Sequence, residues 1–166
     1  MQSSPSGELE GGFSIMKNYQ LTRGWRNNNP LNIIHSKSNW KGMRAQQTDK
    51  RFVQFIIMDY GFRAAIKTLQ SYYRVAQGAK KAFTIDFIIR RWCPDGSEEA
   101  YIKHVSEWSG IAADTVLPDP RKREAVPVIS KIVAAMARQE CGVPADKVPW
   151  EEIKSAYWLA YGIKGV

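Results

Sequence analysis

The sequence predicts a mainly α protein of the α+β class, in which helices dominate and one small β-hairpin accompanies them. Apolar residues recur at helical spacing from Asp59 to Tyr161, in stretches bounded by capping or breaking residues. Only two short segments, Asn32 to His35 and Arg51 to Ile57, carry the β-branched or aromatic character of strands, and they flank a polar stretch as hairpin arms would. The chain has 166 residues, 44% hydrophobic and 24% charged, which suits one globular domain with a buried core.

Residues 1–15 (MQSSPSGELEGGFSI) are rich in Ser, Gly and Pro and lack an amphipathic period. They are expected to be a disordered leader or an appended remnant, with Met16 a candidate original start and residues 16–166 a single domain. Next comes Arg26-Asn27-Asn28-Asn29-Pro30-Leu31-Asn32-Ile33. Three asparagines before a proline disfavour helix and strand, because their side chains compete for backbone hydrogen bonds. Such a block makes a loop with Asx turns, or lines a polar groove with amide donors and acceptors. Trp40-Lys41-Gly42 follows in a polar loop, where an indole can stack on a sugar ring or a base.

The helices follow in order. Asp59 can cap the first, with Phe62, Ala65, Ile66, Leu69 and Tyr73 on one face and an end before Gly78. Thr84 opens the next, with Ile85, Ile88, Ile89 and Trp92 inward and Pro94 as its stop. Ser97 starts a third, carrying Tyr101, Ile102 and Val105 toward Gly110. Ala125 to Cys141 is the longest periodic stretch, with Gly142 beyond its end. Residues 150–161 form a last helix with Trp150, Ile153, Tyr157 and Tyr161 inward.

Charge narrows the partners. A net charge of +8 and a pI of 9.6 attract something anionic: nucleic acid, a membrane surface or an anionic cell-wall polymer. Lys and Arg are scattered and form no basic helix, so specific nucleic-acid binding ranks last. Cys93 and Cys141 lie outside any CxxC or Cys/His cluster, so zinc is not expected and two buried free thiols are the default. No metal or cofactor is expected. No apolar run is long enough to span a membrane, and no secretory signal is visible. The protein is expected to be a monomer made in the cytoplasm.

The catalytic inventory is short: no GxSxG, no P-loop, no glycine-rich dinucleotide loop, and two isolated histidines, His35 and His104. Carboxylates remain. Glu140 falls on the face of Ile129, Ile132, Val133 and Met136, near the C-terminus of its helix. Desolvation and the helix dipole both raise the pKa of such a carboxyl, which suits a general acid near neutral pH. The alternative is a glutamate leaning out to pair with a basic neighbour such as Arg138. Glu98 sits in a first helical turn, where the dipole favours the ionised form and a role in starting the helix. Asp49, in the expected hairpin, is a candidate second carboxylate or a turn residue.

The series Gly24-Trp25-Arg26-Asn27-Asn28-Asn29-Pro30-Leu31-Asn32-Ile33, Trp40-x-Gly42, Phe52-x-x-Phe55 and Tyr60-Gly61-Phe62-Arg63-Ala64 resembles small phage- and prophage-associated lysozyme-like proteins. These are described as virion lytic or structural-protein-P5-like. The resemblance continues through Arg91-Trp92-Cys93-Pro94 and Tyr101-Ile102 to Glu140-Cys141-Gly142, covering most of residues 23–142. A looser similarity, in permuted order, is to cell-wall glucosaminidases and lytic transglycosylases. There a helix ends in a catalytic glutamate, followed by an Asn-containing loop and a Trp-x-Gly hairpin.

The resemblance implies a lysozyme-like domain that cleaves the glycan strands of peptidoglycan with Glu140 as general acid. Asn29, Asn32, Trp40, Gly42, Phe55 and Tyr101 would hold the substrate, and Asp49 or Glu98 would be a second carboxylate if one is used. It also implies virion proteins as partners, and action from the virion or in the wall or periplasm after release. The rival is a non-catalytic structural or wall-binding protein.

Overall fold

The structure, a computed structural model, describes residues 18–164. The expected leader, residues 1–15, and Met16 lie outside them. Among the described residues there are six α-helices: α1 (Arg23–Arg26), α2 (Met58–Gly78), α3 (Ile85–Trp92), α4 (Glu98–Ser109), α5 (Val126–Cys141) and α6 (Trp150–Tyr161). A short 3-10 turn at Tyr19–Leu21 precedes α1, and others at Arg123–Ala125 and Ala145–Lys147 lead into α5 and α6.

Local chemistry sets most of the ends. Thr84 Oγ1 accepts from the Phe87 N–H at 3.0 Å, and so caps α3 as its sequence suggests. Gly110, Gly142 and Gly162 close α4, α5 and α6 in the left-handed conformation. Pro127 lies in the first turn of α5, where its missing N–H would have had no helical partner. Two caps differ from expectation. Asp59 lies inside the first turn of α2, whose N-cap is Ile57; there it favours the helix through the dipole alone. Ser97 donates its hydroxyl to Asp95 Oδ1 at 2.6 Å and gives α4 no side-chain cap.

α2 is the spine. Phe62, Ala65, Ile66, Leu69 and Ala76 form its buried stripe, with Tyr72 in place of the expected Tyr73. α6 packs along α2, α3 joins α2 to α4, and α4 packs on α5. Trp92, fully buried, meets Tyr72 edge-on at 6.3 Å between ring centroids. Each large aliphatic or aromatic side chain so buried contributes about 1.5–3 kcal/mol. Two of the expected inward residues of α6 are not buried: Trp150, at its first residue, is 48% exposed, and Tyr161, at its last, is half-buried. Both sit at helix ends, beyond the Ile153–Tyr157 turn that reaches the core.

The expected hairpin is reduced to two isolated antiparallel bridges, Ile34 with Phe52 and Met43 with Phe55. A regular ladder is replaced here by side-chain amides.

Candidate functional site

The asparagine block is the source of those amides. Asn29 is fully buried; its Nδ2 donates to the Ile33 and Val53 carbonyls at 3.0 and 2.9 Å, while Oδ1 accepts from the Ile33 N–H at 2.9 Å. Asn28 donates to the Phe55 and Ile56 carbonyls. Asn27 donates to Asp49 Oδ2 and accepts from Gln54 Nε2. Asn28 and Asn32 hold φ of 52° and 54°, a left-handed region that asparagine tolerates better than most residues. Two glycines let this knot close. A Cβ on Gly61 would overlap the Asn28 carbonyl oxygen, and one on Gly24 would come within 2.6 Å of Asn32 Oδ1 and 2.9 Å of Cys141 Sγ.

That close approach brings α1 and the block against the end of α5. Asn32 Nδ2 donates to Glu140 Oε1 at 3.2 Å, between residues 108 positions apart. Glu140 is 7% exposed, and so faces inward as its place on the apolar stripe predicts. The alternative pairing with Arg138 is not formed: that guanidinium donates to the Val143 carbonyl and lies over the Trp108 ring. Tyr101 from α4 completes the group. Burial pushes its phenol well above the usual value of 10, and the adjacent Glu140 carboxylate and Cys93 push it further. Cys141 donates to the Pro30 carbonyl at 3.3 Å; both cysteines are buried.

The other expected site residues lie elsewhere. Asn29 and Phe55 are fully buried, the first hydrogen-bonded to backbone groups and the second packed in the core. Gly42, at φ 78°, lies against the Tyr60 ring so closely that a Cβ would fall within it; its role is close packing. Glu98 is half-buried in the first turn of α4. Trp40 is half-buried and lines a cleft of about 440 Å³ with Lys67, Arg74 and Arg91, a cleft whose described lining does not include Glu140.

Asp49 is an anion held by the fold. Arg23 Nε and Nη2 donate to its two oxygens at 2.7 Å each, Asn27 adds a third bond at 2.9 Å, and the Arg51 and Phe52 N–H groups donate at 2.9 Å. Burial works to raise its pKa. The hydrogen bonds from Arg23, Phe52, Asn27 and Arg51 outweigh it, and the carboxyl lies well below its usual range. Such a group keeps its charge and has no capacity left for a reacting water.

Sequence reasoning missed Arg23 and Gln54, the partners that make this region coherent. Gln54 Oε1 accepts from the Thr48 N–H at 2.6 Å and its Nε2 donates to Asn27 at 3.1 Å. Nothing local marks either residue; a buried amide in a short apolar run is the one available signal. His104, read as isolated, ties α4 to α5 through Gln139 at 2.7 Å and stacks on Trp108.

No family model matches the sequence. The chain is 32% identical to Protein P5 of Pseudoalteromonas phage PM2 over 149 residues, covering 86% of this chain and 85% of that protein. The chain belongs to the phage Protein P5 family. The protein is therefore phage-related. Among the described residues of this P5-family member, no helix is long and apolar enough to cross a membrane, and no three His, Cys, Asp or Glu side chains gather as a metal site would require.

Proposed function

We propose that this P5-family protein is a phage- or prophage-associated enzyme with a lysozyme-like domain that cleaves the glycan strands of peptidoglycan, with Glu140 as its general acid. The observation that carries the reading is the Asn32–Glu140 hydrogen bond, which joins the asparagine block to the helix ending Glu140-Cys141-Gly142, with Tyr101 alongside. Glu140 would protonate the glycosidic oxygen as the bond to the anomeric carbon breaks. A hydrolase needs a second carboxylate near the scissile bond. Asp49 is committed to Arg23 and the backbone, so the chemistry of a lytic transglycosylase fits better. In that reaction a hydroxyl of the same sugar attacks the anomeric carbon, and its proton returns to the Glu140 carboxylate. Asn32 would orient the carboxyl, and the net charge of +8 would favour encounter with an anionic wall, an effect that salt weakens. The protein would act as a monomer carried in the virion or released into the wall or periplasm, with no cofactor.

A second reading, a non-catalytic virion structural or wall-binding protein, is favoured by the burial of Glu140, which leaves only 7% of the residue exposed. Muropeptide release from purified peptidoglycan separates the two. Wild type should release muropeptides and Glu140→Gln should not. Release that survives the substitution overturns the mechanism, and no release from either protein favours the second reading.

A further inference from the structure

The cleft of about 440 Å³ beside Trp40 belongs to no part of the Glu140 group, and its charge is one-sided. One wall is the loop that carries Ser36 and Trp40; the other is the outer face of α2 with Lys67, Ser71 and Arg74, extended by Arg91 of α3. No carboxylate is among its described lining residues. Gln70, 5% exposed, accepts from Arg74 Nη2 and Nε at 2.8 and 2.9 Å in the amide orientation that satisfies both its atoms. A neutral amide thus fixes the guanidinium, and among the described residues no carboxylate forms an ion pair with it. Lys67 stands over the Tyr161 ring at 4.4 Å, and burial, then Arg63, Arg74 and Lys41, hold its amine below the ordinary value. Trp40 adds a ring that is half-buried and an indole N–H that is buried with no acceptor among the described residues. Cations, hydroxyls and an aromatic ring around one concavity suit a ligand that is both saccharide and acid.

We propose that this cleft binds an acidic muramyl peptide, its peptide carboxylates on Lys67, Arg74 and Arg91 and its sugar against Trp40. The site rests on the peptidoglycan reading above and deepens it: the enzyme would grip the peptide-bearing unit of the strand at a place apart from the Glu140 group. A nucleic acid would use the same cations, but a lone concavity walled by a loop fits one sugar unit better than a continuous phosphate backbone.

Isothermal titration with a disaccharide-tetrapeptide muropeptide tests it, against the same muropeptide with its carboxylates amidated and against a single-stranded oligonucleotide. Wild type should bind the acidic form at least about tenfold more tightly than the amidated one. Arg74→Gln and Arg91→Gln, both at exposed positions, should each weaken the acidic form several-fold while leaving the amidated form little changed. Equal binding of the two muropeptides, or full affinity in both arginine variants, overturns the proposal. So does tighter binding of the oligonucleotide through the same arginines. If wild type binds the acidic muropeptide through these arginines yet releases none from peptidoglycan, this site stands and the lytic reading falls.

Discussion

Replacing Asp49 with asparagine removes one charge and almost no volume, and so isolates what that carboxylate does. In the native fold it accepts five hydrogen bonds, two of them from a guanidinium and two from backbone N–H groups. An amide in its place turns one acceptor oxygen into a donor facing other donors. Hydrogen bonds to a charged group are each worth about 1.5–3 kcal/mol, and a buried donor left without a partner costs about 1–3 kcal/mol. The Arg23 side chain, 33% exposed, can regain water, which discounts its share. The net loss is then about 3 kcal/mol, a fall in Tm of roughly 6–12 °C for a domain of this size.

Thermal unfolding followed by circular dichroism at neutral pH reads it directly. The pH dependence supplies a second readout. Because the folded carboxyl lies below its unfolded value of about 3.9, its contribution is complete at neutral pH and is lost as pH falls through the folded pKa. The gap between wild type and Asp49→Asn should therefore narrow below about pH 4. A Tm within about 2 °C of wild type at neutral pH, or a gap that widens in acid, would show that Asp49 is not the anchor described here.

Two further substitutions probe the same region. Asn29→Ala should lower stability by about 3 kcal/mol, because it strands two buried backbone groups, the Val53 carbonyl and the Ile33 N–H, while leaving muropeptide affinity per folded molecule unchanged; a specific loss of affinity with normal Tm would restore it to the substrate wall. Gly42→Ala should be destabilised by at least about 2 kcal/mol, from its positive φ and the overlap with Tyr60, read as a shift in denaturant midpoint.

These residues also show what the sequence could reveal. The helices were legible because their determinants are local: the Thr84 cap, the apolar stripe of α2, and the glycines that end α4 and α5 act within a turn or two. Glu140 was legible for the same reason, since its spacing from Ile129, Ile132, Val133 and Met136 fixes its face. The asparagine block was not. Asn27, Asn28 and Asn29 are partnered by Asp49, Gln54, Val53 and Phe55, residues more than twenty positions away, and no periodicity encodes such pairings. Trp40 and Gly42 were grouped with Glu140 by motif, yet the fold places the first in a cationic cleft and the second under Tyr60. Asn32 is where motif and geometry meet.

The most direct test is the release of muropeptides from purified peptidoglycan by wild type and by Glu140→Gln, with matched Tm values establishing that both are folded. Glutamine can still accept the Asn32 hydrogen bond, so the variant should keep the fold and lose release to background. Release from Glu140→Gln at the wild-type rate would contradict the assignment of Glu140 as the acid.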